Sequence, residues 1–218
     1  YGAVQKRKRI FIFAYKNSTK FANKMKKENV KELIQNIGFM SKAFPIKNYE
    51  NILETTLDYS DILNVSKLFS FNFQDAGYMY KGKIYTCNVE AKNIPFIPLK
   101  NILEKDVEEK YYLNEEQIKK FEYLKSSKRI PRVSKDGHSY IYTEGQMPFP
   151  DNLEKPGRTI LTSEGRSNRS SHVVSDPYTK RLRFLTPIET ERLQGFTDNW
   201  TKEMNERMRY FCMGNALV

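Results

Sequence analysis

Near the amino end, Gln5, Arg7 and Arg9 are spaced by two in the string Q-K-R-K-R, which leads into the apolar run 10–15. In an extended chain alternate side chains share a side, so these three point one way and Lys6 and Lys8 the other. Such a row of donors suits a nucleic-acid contact; a nuclear localisation patch or a solvated strand entrance fits the same residues. A second group lies in 157–174, G-R-T-I-L-T-S-E-G-R-S-N-R-S-S-H-V-V. It carries Arg158, Thr159, Ser163, Arg166, Asn168 and Arg169. Arginine can bond guanine through two donors, and Asn and Ser can read bases or hold phosphates. An ordinary polar surface loop has a similar composition. The two cysteines, Cys87 and Cys212, are far apart and lack metal-type spacing, and two histidines, His138 and His172, are too few for a histidine site. No metal is expected.

The 218 residues are 39% hydrophobic and 13% aromatic, enough to build a core and to exclude a disordered chain. The net charge of +11 favours a polyanionic partner, nucleic acid before membrane. No apolar run is long enough to span a bilayer, and no signal peptide is visible. Two thiols in this length point to a reducing, cytoplasmic setting. The chain opens on Tyr1 and closes on Ala216-Leu217-Val218 within an apolar run. Both ends are expected to be cut from something longer, or to belong to a split protein.

The elements that must position these groups follow from pattern. Residues 10–15 are continuously apolar, as in a strand buried on both faces. Residues 17–40 predict one basic amphipathic helix or two short ones, with Phe21, Met25, Val30, Leu33, Ile34 and Ile37 as the stripe and Gly38 as a stop. Residues 68–73 alternate as a strand does. Residues 78–85 predict a hairpin turning at Lys81-Gly82. Asn114 caps a helix running to about Leu124, with Leu113 and Ile118 as a hydrophobic staple. Residues 139–143 predict a further strand, and 158–162 a short β run. In the stretch 183–198, R-F-L-T-P-I-E-T-E-R-L-Q-G-F-T-D, Thr186 is the N-cap and Pro187 the first helical residue. Glu189 completes a capping box, and Gly195 marks the stop. Leu185 and Leu193 are expected to face a core, and Glu189 and Arg192 to pair one turn apart.

Beyond its helix signals, Arg-x-Leu-Thr-Pro-x-Glu-x-x-Arg-Leu-x-Gly-Phe-x-Asp resembles the ninth motif of the DNA cytosine-5 methyltransferases. Tyr-Gly-x-x-Gln-x-Arg-x-Arg at 1–9, followed by an apolar strand, resembles the eighth. Gly214-Asn215, followed by small and apolar residues, resembles the tenth. Thr159-Ile160 stands where the family's recognition domain carries Thr-Leu. Three motifs in order, with a variable segment between the first two, cover the chain from end to end. The resemblance is to the C-terminal half of a bacterial restriction–modification enzyme.

The resemblance implies an α/β fold: the C-terminal part of a doubly wound S-adenosylmethionine-dependent methyltransferase sheet with an inserted small, mostly β target-recognition domain. It places the end of the large domain at 1–40, the recognition domain at 41–182, the ninth-motif helix at 183–200 and the return to the large domain at 201–218. It implies double-stranded DNA as partner, no membrane, and cytosine flipped out of the duplex. Arg9 then donates to the cytosine ring oxygen, Arg7 supports it or a phosphate, and Gln5 holds the strand edge. Gly214, Asn215 and Ala216 help close the S-adenosylmethionine pocket, and Arg158, Thr159, Ser163, Arg166, Asn168 and Arg169 meet DNA. The chain departs from the family in having no Pro-Cys dipeptide and no Phe-x-Gly-x-Gly donor loop. It is therefore expected to be inactive unless an N-terminal half is supplied in cis or as a separate subunit. The alternatives are a non-catalytic, sequence-specific DNA-binding module and a basic RNA-binding or structural domain.

Overall fold

The computed structural model describes residues 2–58 and 60–217, so Tyr1 of the eighth-motif string and the terminal Val218 lie outside the described residues. The chain forms two compact units: one holds residues 9–95, the other residues 2–8 together with 96–217. Among the described residues the chain passes between the units at Lys8–Arg9 and at Pro95–Phe96.

In the first unit, α1 (Lys20–Met25) starts from Thr19, whose side chain accepts the Ala22 N–H. Then come α2 (Val30–Glu32), a π turn (Leu33–Ile37) and α3 (Phe39–Ala43). The expected helix is thus broken into pieces, yet its stripe holds: Met25, Leu33 and Ile34 are buried. Gly38 does separate two of the pieces. Its backbone is extended, and a Cβ there would lie 2.2 Å from the Leu33 carbonyl oxygen, so close approach demands the glycine. Two small sheets follow. β1 (Ile46–Tyr49) pairs with β5 (Val89–Ala91), and β2 (Leu53–Thr56) and β3 (Ala76–Tyr80) flank β4 (Lys83–Cys87), all antiparallel. The predicted hairpin is there, with Lys81 at φ 50° and Gly82 at φ 79°, the two positive values a two-residue primed turn needs.

Two strand expectations fail in this unit. Residues 10–15 form no strand, and Ile10 and Ile12 are 90% and 87% exposed. An apolar run becomes a strand only beside a partner strand, and no described segment supplies one; Phe13 instead stacks on Phe39 at 3.8 Å. Residues 68–73 also have no strand neighbour. Asp61 caps α4 (Ile62–Leu68) by accepting the Asn64 N–H, and the following aromatics pack among themselves, Phe71 edge-on to Phe73 at 5.5 Å.

The second unit is built on two apolar clusters. Leu99, Ile102, Ile160, Val174, Leu185, Leu193 and Met213 form one, with Val4 packed against it; Leu113, Phe121, Val173 and Phe184 form the other. Between them runs the hairpin of β8 (Val173–Ser175) and β9 (Leu182–Phe184), which sends alternate residues to each. α5 (Glu115–Lys125) begins at the predicted Asn114 capping box, with Leu113 buried and Ile118 against the same cluster. β6 (Lys128–Val133) and β7 (Ser139–Glu144) form a two-stranded ribbon. The sequence pattern marks β7 but not β6, because Pro131 and the charged Lys128, Arg129 and Arg132 leave no alternation of apolar with polar. Residues 158–162 are not a β run: only Gly157 makes a bridge, parallel to Gln5. α6 (Pro187–Leu193) and α7 (Glu206–Asn215) close the unit. α7 runs through Gly214-Asn215, where a turn signal stands in the sequence, because Asn205 caps it and Gly214 packs helically on a neighbouring backbone.

Every ladder among the described residues is antiparallel, so none of these sheets is doubly wound.

Candidate functional site

The Gln5–Arg7 edge is where distant segments of the second unit meet. Two main-chain bonds, Lys6 N–H to the Gly157 carbonyl (2.8 Å) and Gly157 N–H to the Val4 carbonyl (2.7 Å), lay residues 4–6 beside 157. Gln5 is buried; its Oε1 accepts the Ile160 N–H at 3.2 Å and its Nε2 donates to the Leu193 carbonyl at 3.4 Å. Arg7 donates to the Ile160 carbonyl at 2.9 Å and to the Gly214 carbonyl at 3.0 Å. The Thr159 hydroxyl donates to the Lys6 carbonyl at 2.9 Å. Two alternate side chains thus stitch the Thr159-Ile160 pair, the end of α6 and the end of α7 into one assembly. Lys6 and Lys8 point outward, as period-two alternation requires. Arg9, the third of the row, belongs to the first unit.

α6 is anchored from within. Arg183, wholly buried, donates Nε to Asp176 at 2.8 Å and both terminal nitrogens to Glu189 at 2.8 Å. Glu189 also accepts the N–H of Thr186, completing the predicted capping box, and that of Glu104. The expected Glu189–Arg192 pair is therefore absent. Glu189 is consumed by buried donors, and Arg192 turns to Asp198 at 2.6 and 2.7 Å and to the Ile102 carbonyl. Leu185 and Leu193 do face the core, and Gly195 sits at φ 80° as the left-handed stop. Burial opposes the charge on Asp176, but the N–H groups of Thr179 and Tyr178 and the Arg183 guanidinium outweigh it and hold its carboxyl down to about 2.

At the end of α7, a Cβ on Gly214 would lie 2.3 Å from the Thr162 nitrogen. The missing side chain lets α7 press on the 161–162 backbone. Asn215 is exposed and its amide donates to the Phe211 carbonyl at 3.2 Å; Ala216 caps the helix through the Cys212 carbonyl.

The loop 163–171 is ordered by charged groups that sequence composition did not distinguish. Asn168 bonds the Ser163 carbonyl (2.7 Å) and the Ser170 and Ser171 N–H groups, closing the loop on itself. Arg158 forms a two-donor pair with Asp151 (2.6 and 3.1 Å) and reaches the Ser170 and Ser171 carbonyls. Lys125, 1% exposed, donates to the Ser171 carbonyl at 2.7 Å, and burial pushes its ammonium down to about 8. Arg169 binds the Leu124, Ser126 and Gly145 carbonyls and pairs with Glu144 at 3.2 Å. His172 and Glu164 are buried together, Nδ1 to Oε2 at 3.1 Å. Arg158, Asn168 and Arg169 thus spend their polar groups inside the protein. Arg166 is exposed on the rim of a cleft of about 340 Å³, which Thr162, Ser163, Glu206, Arg207 and Tyr210 also line. Lys125, Asp151 and Glu164 were not singled out from sequence; only the fold brings 125 and 151 to the loop.

The sequence matches the family of C-5 cytosine-specific DNA methylases over residues 1–218. The chain belongs to that family. Among curated relatives of this chain is the type II methyltransferase M.Sau3AI of Staphylococcus aureus, 44% identical over 220 residues. The match takes in 100% of this chain and 53% of the relative, so the chain spans about half its length. Two solved structures are more distant. The Entamoeba histolytica methyltransferase EhMeth is 18% identical (TM-score 0.37, 77% of this chain, 49% of that one). The S. pombe methyltransferase Dnmt2 is 14% identical (TM-score 0.36, 92% and 58%). At these scores neither bears on the fold of this chain.

Proposed function

We propose that this chain is the DNA-reading and cleft-closing portion of a sequence-specific type II DNA cytosine-5 methyltransferase, of the kind that partners a restriction enzyme in bacterial cytoplasm. The observation that carries the reading is the Gln5–Arg7 stitch: the strings resembling the eighth, ninth and tenth motifs, and the Thr159-Ile160 pair, meet through hydrogen bonds of 2.9–3.4 Å. Family membership over the whole chain and the 44% identity to a type II methyltransferase support it.

The chemistry assigns the roles. Carbon 5 of cytosine is a poor nucleophile, and the ring has to be taken out of the duplex before a protein can reach it. Addition of a thiolate to carbon 6 makes the ring enamine-like. Negative charge then grows on the ring oxygen, and a fixed donor is needed there. Arg9 is that donor; earlier in the sequence, Gln5 and Arg7 hold the chain to Ile160, Leu193 and Gly214. No Pro-Cys dipeptide stands in this sequence, and neither Cys87 nor Cys212 is the nucleophile. Cys87 is buried, and burial and the nearby Asp75 and Glu50 raise its thiol above the ordinary range, away from the thiolate. The thiolate and the doubly wound sheet belong to an N-terminal half, without which this chain transfers nothing.

S-adenosylmethionine supplies the electrophilic methyl group when bound. Gly214 is committed to packing against Thr162, so Asn215 and Ala216 are the groups at this end that remain for the donor. The exposed Asn215 amide, whose oxygen is an acceptor, fits an amine or hydroxyl of that ligand. On the DNA side Arg166 is the base-reading candidate, with Ser163 lining the same cleft. Arg158, Asn168 and Arg169 act by holding the loop. The test is methyl transfer by the complete protein with Arg9→Ala: turnover should fall far more than DNA affinity, and a fall in affinity alone would remove the oxyanion role.

A further inference from the structure

We propose that the β6–β7 ribbon enters a groove of double-stranded DNA, and that the serine–arginine loop serves as its mount. The inference rests on the methyltransferase reading for the choice of duplex DNA as ligand.

The ribbon stands unsupported. It pairs six residues with six, from Lys128↔Glu144 to Val133↔Ser139, and among the described residues no third strand pairs with either edge. A two-stranded hairpin is marginal in water unless one face is covered. Here both faces are exposed toward the tip: Val133 is 67% exposed and Ile141 55% on one face, Tyr140 42% on the other. Exposed apolar groups on an open-edged ribbon invite a covering partner.

Charge identifies the partner. Between 128 and 144 four lysines and arginines face two carboxylates, and one of these, Glu144, is already taken by Lys128 at 3.3 Å and by Arg169 at 3.2 Å. Arg129, Arg132 and Lys135 are all exposed, with Asp136 the one remaining acid. The Arg132 guanidinium carbon lies 4.0 Å from the centre of the Tyr142 ring, a cation–π contact that restrains its donors. Shape agrees. Strands about 4.8 Å apart and about 20 Å long fit a major groove about 12 Å wide, which admits a two-stranded ribbon. Ile141, Pro131 and Val133 share a face with Arg129, so one surface offers both an apolar contact for a thymine methyl and donors for guanine or phosphate.

The base is fixed, as a reading head requires. Arg169 ties the loop to the Gly145 carbonyl beyond β7 and to the Ser126 carbonyl before β6. The Met147 N–H closes on the Lys125 carbonyl at 2.8 Å. The residue whose type first suggested a DNA contact instead grips the foot of the ribbon.

The test uses the complete protein that contains this chain and sheared double-stranded genomic DNA, which holds every short recognition site. Backbone hydrogen exchange of 128–144 is compared with and without DNA. Protection that appears only with DNA supports the proposal. Exchange unchanged by DNA, or protection already present in the DNA-free protein, overturns it, the latter because the rest of the protein or a second copy then covers the ribbon. Separately, R129A/R132A should weaken DNA binding at least ten-fold with an unchanged melting temperature, and R129K/R132K should recover part of the loss. A change within two-fold for R129A/R132A overturns the proposal. Methyl transfer by the wild-type protein keeps the two ideas apart. Ribbon protection without 5-methylcytosine removes the methyltransferase reading alone, and 5-methylcytosine without protection removes the ribbon alone.

Discussion

Arg183 is sealed between Asp176 and Glu189, whereas Arg166 stands exposed on a cleft rim, and substitution should separate the two. Arg183→Met strands two buried carboxylates and should cost about 3–5 kcal/mol in urea unfolding; a loss under about 1 kcal/mol would mean that water reaches the site. Arg166→Ala should leave unfolding unchanged and, in the complete enzyme, cost about 1–3 kcal/mol of discrimination between cognate and altered sites. A uniform loss over all sequences would mark it as a phosphate contact. Arg169→Ala should do the reverse, loosening the loop and lowering stability. Lys125 gives a pH test. Burial sets its folded value at about 8, below the ordinary value of about 10.4. Below pH 8 both states hold the proton; between about 8 and 10.4 only the unfolded state does. This residue therefore makes stability rise with pH across that window, by up to about 1.4 kcal/mol per unit. Subtracting the Lys125→Met profile from wild type should expose the rise, and a flat difference would contradict it.

At the scale of elements, what could be read from sequence was what is decided locally. The Thr186 and Asn114 capping boxes and the Lys81-Gly82 turn are each settled within a few residues, and all three are present. Strands at 10–15, 68–73 and 158–162 were misjudged because a strand is completed by a partner that its own pattern does not name. The partners of Arg158 and Arg169 escape a local pattern for a related reason: the Ser170 and Ser171 carbonyls, Glu144 and the carbonyls of 124, 126 and 145 reach them only through the fold. Two glycines mark how tightly these elements are pressed together. Gly214→Ala sets a methyl 2.3 Å from the Thr162 nitrogen, and Gly165→Ala sets one 2.4 Å from the Tyr210 ring at a φ of 72°. The first meets backbone, which cannot swing away, so Gly214→Ala should lower the melting temperature by several degrees and expose the Gln5–Arg7 edge to faster hydrogen exchange. Unchanged exchange at Ile160 would mean that the edge does not depend on the α7 contact.

For the whole molecule, the motif order in the sequence pointed to the family before any contact was known, and family membership over residues 1–218 agrees. The sheet could not be read in the same way, because the chain spans about half of its curated relative and its described ladders are all short and antiparallel. Division of labour is the account's central claim: this chain positions DNA and the cytosine ring, and the thiolate comes from elsewhere. The direct measurement is transfer of a labelled methyl group from S-adenosylmethionine to duplex DNA, with the modified base identified, for this chain alone and for the complete protein. The account predicts no transfer by the chain alone and 5-methylcytosine from the complete protein. Transfer by the chain alone, or a complete protein that makes no 5-methylcytosine, would contradict it.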